Sequence, residues 1–272
     1  MYIHDSHVHT KYSFDGAKDA RGEVDTIVRH AIAQRIDEIS FCDHYDIDDI
    51  IDGIYPPFEA DSVRADIFAA KEKYDGKIRI NYGIELGQPH VYPNEAREFL
   101  EKYKFDFVIG SLHNLRGYPD YYFLKFEHMC PEQLEYIMSR TMSELGQIIE
   151  FGVFSTLAHI TYIQRYLTVC GVPFEFHKYS GEYESIFKKL INKNIALEVN
   201  TSGLRRGDIT MPGYELLNFY RECGGELITI GSDAHSADDI GKGIEQTAEM
   251  LRQIGFKSQC VVRDGRLVQT QL

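Results

Sequence analysis

The chain has 272 residues, with 29 Lys and Arg against 42 Asp and Glu, giving a formal net charge of -13. That length suits one large α/β domain with a sizeable core, expected to span 1–272, and the negative balance argues against a general binder of nucleic acid or anionic membrane. No apolar run approaches the roughly 20 residues that cross a bilayer, the chain does not open with a secretory-type leader, and the five scattered cysteines form no CxxC, so a reducing cytoplasm is the expected compartment.

In chain order, an apolar run at 1–3 (MYI) leads to a helical pattern over 24–35, and a run at 38–42 (EISFC) to a helical pattern over 61–74. A run at 78–84 (IRINYGI) precedes a helix over 95–103, and one at 105–110 (FDFVIG) precedes a long helix over 131–152. Runs at 153–158 (VFSTLA), 195–199 (IALEV) and 227–231 (LITIG) are followed by helical patterns over 183–193, 212–223 and 240–255. The runs are short and rich in β-branched residues, and the segments between them repeat apolar positions at three and four residues. Seven strands alternating with helices imply parallel pairing through right-handed crossovers. A terminal hairpin with an Asp-Gly turn is expected within 259–270.

The strand ends choose between an open sheet and a barrel. MYI leads into HDSHVH, EISFC into DH, IRINYGI into Glu85, FDFVIG into SLH, VFSTLA into His159, IALEV into NTSGLRR and LITIG into SDAH. In a parallel barrel those ends meet at one mouth, whereas an open sheet keeps its edge strands apart. A distorted seven-stranded (β/α) barrel is therefore expected, with a metal site at the C-terminal ends of the strands. His7 and His9, two apart, place both imidazoles on one face of an extended chain, a pairing that suits zinc or a transition metal, and Asp233 and His235 repeat the spacing.

HDSHVHTKYSFDG, FCDH at Asp43-His44, GIE with GSLH, TLAH and GSDAH, in this order from residue 4 to residue 235, resemble the metal motifs of the PHP (polymerase and histidinol phosphatase) superfamily. Within it the chain is most similar to the stand-alone histidinol-phosphate phosphatases, and HITYIQRY and LEVNTSGLR resemble segments that supply phosphate-binding arginines there. The resemblance implies three metals: one on His7, His9, Glu85 and Asp233; one on Glu85, His113 and His159, with Glu85 bridging; and one on Asp15, His44 and His235. Many relatives carry His where this chain has Asp15, and an oxygen ligand there softens a preference for zinc. Two to three divalent cations, Zn, Mn or Fe, are the expected cofactors.

The chemistry follows from the residues. A bridging carboxylate holds two cations close, water between them loses a proton near neutral pH, and the cations neutralise charge developing on a phosphoryl group. Arg165 and Arg205, each shortly after a predicted strand end, complete a clamp for phosphate without touching the metals. Glu85, Asp233 and His235 with the two arginines form the expected catalytic set. Ser13 either donates to phosphate or caps a turn, and Arg205 is preferred over Arg206 for the phosphate. Asp5 is expected to orient a ligand imidazole. His4 has the wrong strand parity for a ligand, Asp43 is a supporting carboxylate or a strand terminator, His90 either packs or lines the substrate pocket, and Arg116 is either a specificity element or a packed loop residue. The expected function is hydrolysis of a small phosphate monoester, with L-histidinol phosphate in histidine biosynthesis as the leading substrate and a monomer or small homo-oligomer as the form. A nuclease or phosphodiesterase, a protein-tyrosine phosphatase and a non-catalytic metal-binding module are the rivals. No basic groove with interleaved aromatics supports nucleic-acid binding.

Overall fold

The structure is a computed structural model that describes residues 1–207 and 209–272, with the side chain of Arg206 also outside the described residues. The strands are β1 (His4–Val8), β2 (Glu38–Phe41), β3 (His44–Asp46), β4 (Arg79–Gly87), β5 (Phe107–Ser111), β6 (Thr156–Leu157), β7 (Ala196–Asn200), β8 (Ile228–Gly231), β9 (Ser258–Arg263) and β10 (Arg266–Gln271). The helices are α1 (Val24–Ala33), α2 (Ile47–Ile51), α3 (Ala60–Lys73), α4 (Pro93–Tyr103), α5 (Pro131–Phe151), α6 (Tyr162–Val169), α7 (Ser180–Lys193), α8 (Leu204–Gly207), α9 (Tyr214–Glu222) and α10 (Ile244–Ile254).

Parallel pairing runs β1-β2-β4-β5-β6-β7-β8, and β3 pairs with the second half of β4. The ring closes just beyond β8, where the Asp233 amide donates to the His7 carbonyl at 2.8 Å and the His9 amide to the Ala234 carbonyl at 2.8 Å. The expected seven-stranded barrel is thus present and nearly closed. Three boundaries differ from the sequence reading. The first strand is His4–Val8 rather than MYI, because pairing with the neighbouring strand begins where Asp37 and Glu38 donate to the Ile3 carbonyl. β4 runs on through Glu85 to Gly87, since β3 gives its second half a partner. The sixth strand keeps only two residues, Thr156–Leu157.

Local signals account for the element ends. Pro93 and Pro131 open α4 and α5 at positions where a missing N–H costs nothing. Gly152 and Gly255 close α5 and α10 in the left-handed region. The Asp264-Gly265 turn has φ of 51° and 70°, as a tight hairpin requires. One core packs α5, α7, α9 and α10 on the strands, and a second packs α1 and α3 on β1, β2 and β4. Inside the barrel Val262 of β9 meets Cys42, Phe107, Ile109 and Ala158. The Val262 amide donates to Glu38 at 3.2 Å and Arg263 pairs with the same carboxylate, so the hairpin covers the N-terminal ends of the strands. The opposite end is left open for a site. Among the described residues no helix is long and apolar enough to cross a membrane.

Candidate metal centre and active site

All nine sequence-predicted ligands arrive at the open mouth. Glu85, fully buried in β4, stands at the centre, and its two oxygens face different partners. Oε1 lies 3.0 Å from His113 Nε2 and 2.9 Å from His159 Nε2. Oε2 lies 3.3 Å from His7 Nε2, 3.6 Å from His9 Nε2 and 2.8 Å from His44 Nδ1. His9 Nε2 is also 3.2 Å from Asp233 Oδ1. At the rim, Asp15 is 3.4 Å from His44 Nε2 and 2.9 Å from His235 Nε2. Ligand atoms around a four-coordinate cation at about 2.0–2.1 Å sit roughly 3.3 Å apart, so these separations suit bound cations.

The hydrogen-bonding state of the donors gives an independent test. Glu85 Oε2 and His44 Nδ1 are buried and 2.8 Å apart, yet neither has a hydrogen-bond partner, and His235 Nε2 has none either. Buried polar atoms are normally satisfied. Two imidazole nitrogens and a carboxylate oxygen left without hydrogen bonds within this crowded cluster fit divalent cations, and the mixture of N and O donors accommodates Zn, Mn or Fe.

Charge is strongly coupled here. Burial works against a charged imidazole, but Glu198 and then Glu85 outweigh it at His7, Glu85 and then Asp15 at His44, and Asp46 and then Glu85 at His113, holding these rings well above the ordinary range. Burial, with His235 and His44 alongside, drives His9 well below it. Burial also opposes the charged form of Glu85, yet His113, His7 and His44 hold the carboxyl well below the usual range.

Behind the ligands stand residues that the sequence reading missed or misplaced. His7 Nδ1 meets Glu198 Oε1 at 2.7 Å, and Glu198 Oε2 accepts from the His159 amide at 3.1 Å. His113 Nδ1 meets Asp46 Oδ1 at 2.7 Å. A Cβ on Gly231 would lie 2.5 Å from His7 Cβ and 2.9 Å from Glu198 Oε1, and one on Gly87 would lie 1.7 Å from Asp46 Oδ1. Both glycines make room for a carboxylate to reach its imidazole. Asp5, expected in this role, instead accepts from the Ser232 amide at 2.8 Å and the Gly241 amide at 2.9 Å. It ties β1 to the loop after β8 because its carboxylate meets amides there rather than a ring.

Ser13 also changes role. It is 1% exposed, lies 2.9 Å from His9 Nδ1 and donates to Asp43 Oδ1 at 2.8 Å, so it orients an imidazole and does not line the pocket where phosphate would sit. Asp43, which also accepts from the Thr10 amide and hydroxyl, is the supporting carboxylate of this relay. His4 contacts Ser40 at 2.9 Å, away from the ligands, as its parity predicts. His90 pairs with Glu144 at 3.2 Å and Arg116 is exposed, both off the pocket. Glu198→Gln keeps an acceptor for the His159 amide but weakens the grip on His7. It is expected to loosen metal retention by roughly ten- to a hundred-fold, read as chelator-resistant metal per chain, with the protein still folded.

The mouth is a pocket of about 820 Å³ whose walls include His44, His113, His159, Asp233 and His235. Arg165, Arg205 and Lys242 line the same pocket. Arg165 donates through Nη2 to Ser202 Oγ, while its Nε is buried without a partner. Arg205 is more committed, with Nη1 on the Ser232 carbonyl at 2.8 Å and Nη2 on the Asp233 carbonyl at 3.0 Å. The competing Arg206 side chain lies outside the described residues. Lys242, between Gly241 and Gly243 and 2.8 Å from Asp239, was not anticipated; its signal was a lone cation in the Gly-Lys-Gly turn after GSDAH. Phe14 stacks on Tyr55 at 4.2 Å and on His44 at 4.9 Å, giving the rim a flat apolar wall. An adjoining groove of about 600 Å³ shares Tyr122, Arg165 and Tyr166 but contains none of the nine ligands.

Known proteins place this architecture. A probable histidinol-phosphatase of Thermotoga maritima is 28% identical over 268 residues, covering 98% of this chain and 97% of that protein. The probable histidinol-phosphatase of Clostridium acetobutylicum is 25% identical over 255 residues, covering 94% and 95%. The histidinol phosphate phosphatase of Lactococcus lactis, crystallised with zinc, L-histidinol and phosphate, matches with a TM-score of 0.80 at 22% identity over 98% of this chain and 99% of that one, a likeness of fold. The sequence profile of the PHP domain family matches residues 5–202, most of the barrel and seven of the nine ligands, and the chain belongs to the PHP domain family.

Proposed function

We propose that the protein is a metal-dependent phosphomonoesterase and that L-histidinol phosphate is its substrate, released as L-histidinol and phosphate. The observation that carries this reading is the division of Glu85 between two groups of imidazoles in a pocket that also holds Arg165 and Lys242. Such a bridge suits a pair of cations, and cationic side chains beside it suit an anionic ester. The histidinol-phosphatase relatives, matched over nearly their whole length, favour this ester over others.

In this reading His7, His9, Glu85 and Asp233 hold one cation, Glu85, His113 and His159 a second, and Asp15, His44 and His235 a third. Bound divalent cations supply Lewis-acid charge to the phosphoryl oxygens and acidify water in the site. The chain's own residues do the rest. Glu198, Asp46 and the Asp43–Ser13 pair fix the orientation of His7, His113 and His9. Arg165, which lines the pocket and has no ion pair among the described residues, offers its guanidinium to the phosphate, and Arg205 holds the loop carrying Asp233 and His235 in place. The free, scattered cysteines support a reducing, cytoplasmic setting.

The test is metal-reconstituted protein assayed against L-histidinol phosphate, phosphotyrosine, an aryl phosphate and a phosphodiester at fixed metal content. The reading expects the highest kcat/KM on L-histidinol phosphate. Preference for the diester would replace it with a phosphodiesterase, and no phosphate release with Mn²⁺, Zn²⁺ or Fe²⁺ would remove catalysis altogether.

A further inference from the structure

Asn200 joins two carboxylates of the metal centre. It ends β7 two residues after Glu198, so both side chains leave the same face of the strand. It is fully buried, and its amide and carbonyl exchange hydrogen bonds with Met211 at 3.0 and 2.9 Å. The neighbours of its carboxamide force one orientation. Oδ1 accepts from the Ser202 amide at 3.0 Å and from the Ser202 hydroxyl at 2.6 Å. Nδ2 lies 3.1 Å from Glu198 Oε2 and 3.3 Å from Asp233 Oδ2. A backbone amide only donates and an ionised carboxylate only accepts, so the NH₂ end has to face the two acids. Its two hydrogens thus meet one carboxylate oxygen each.

The two acids have different tasks. Glu198 holds His7 through Oε1 at 2.7 Å. Asp233 turns Oδ1 to the ligand imidazoles, 3.2 Å from His9 Nε2 and 3.6 Å from His235 Nδ1. Its other oxygen, Oδ2, is tied to Asn200 and, at 3.1 Å, to the Ser202 hydroxyl. One amide therefore decides which oxygen of Asp233 faces the imidazoles, and it places a donor between two buried carboxylates that would otherwise repel.

We propose that Asn200 is a positioning residue of the metal centre: its NH₂ group fixes Asp233 with Oδ1 toward the cation and locks it to the acid that orients His7. The proposal rests on the metal-dependent reading above for the cation and is independent of the phosphate ester. The rival role for Asn200 is local, an Asx turn in which Oδ1 accepts from the Ser202 amide two residues on. Asn200→Asp separates the two roles, because a carboxylate oxygen still accepts from the Ser202 amide but offers no hydrogen to Glu198 or Asp233. Asn200→Ala removes both roles and adds no charge.

The experiment loads wild type and both variants with Co²⁺, whose visible absorption band reports the geometry of its ligands, and measures Zn²⁺ affinity by chelator competition. Asn200→Ala is expected to bind at least one Zn²⁺ roughly ten- to a hundred-fold more weakly. The Co²⁺ band is expected to change in both variants, while the metal-free proteins still unfold cooperatively. An unchanged band in either folded variant assigns Asn200 to the turn and overturns the proposal, as does unchanged Zn²⁺ affinity in Asn200→Ala. If Asn200→Ala does not fold, the band of Asn200→Asp decides; if neither folds, Asn200 is structural and the proposal falls. A wild type that binds no divalent cation overturns this role together with the metal-dependent reading. Monoester hydrolysis by wild type, with both variants unaltered in band and affinity, removes the positioning role and leaves the phosphatase. Altered bands in a protein that releases no phosphate do the reverse.

Discussion

Glu85→Gln is expected to cut phosphomonoesterase turnover by roughly a thousand-fold and to remove at least one divalent cation per chain, while the protein stays folded. The carboxylate divides its oxygens, Oε1 toward His113 and His159 and Oε2 toward His7, His9 and His44. An amide has the same shape but no charge, and its NH₂ end presents hydrogens where a cation needs a lone pair. The loss therefore falls on both groups of ligands at once, which replacing any single histidine would not do. Folding is buffered because Gln fills the same fully buried space in β4 and can hydrogen-bond imidazoles on either side. Elemental analysis, steady-state kinetics and a thermal melt read the three quantities separately. Full metal content with near-normal turnover would show that the shared ligand is not Glu85.

The legible and illegible parts of the site differ in a physical way. The convergence of the candidate ligands was readable because a parallel barrel delivers its strand ends to one place, so HDSHVH, DH, SLH, AH and SDAH had to meet if the alternation of strands and helices was right. The supporting residues were harder, since their roles depend on which face of which neighbouring strand they touch. Glu198 sits within the apolar run IALEV, and its signal was an acid at the centre of a strand that buries every residue. Asp46 lies two residues after His44 on β3, a strand that appears only because β4 extends past Glu85 to pair with it. Asp5 and Ser13 have chemistry suited to the roles first expected of them, but contacts decided otherwise: backbone amides surround Asp5, and His9 and Asp43 enclose Ser13. Helices α2 and α8 escaped the periodicity because each is too short to repeat an apolar face, whereas α6 does carry the pattern, with Ile163 and Leu167 buried four apart, and was passed over.

The two arginines are expected to separate. The sequence suggested equivalent phosphate ligands whose loss would spare the metals, but their contacts differ. Arg165 spends Nη2 on Ser202 Oγ and keeps a buried, unpartnered Nε, with its guanidinium 5.6 Å from the Tyr162 ring. The guanidinium lines the pocket without an ion pair among the described residues, and an incoming anion supplies one. Arg165→Ala should therefore lower kcat/KM for a phosphate monoester by roughly ten- to a thousand-fold, the equivalent of about 1.5–4 kcal/mol, with bound metal unchanged. Arg205 instead clasps the carbonyls of Ser232 and Asp233, in a turn where Asp233 has φ of 52°. A non-glycine residue in that region persists only where its surroundings hold it. Removing the clasp frees the segment carrying Asp233 and His235, so Arg205→Ala should lose metal as well as activity, and excess metal should restore part of its turnover. Arg165→Ala should not respond to added metal. Metal titration of both variants under one assay decides the matter. Equal metal content in the two proteins, with equal losses of activity, would mean that Arg205 acts on phosphate and that its carbonyl contacts do not support the ligands.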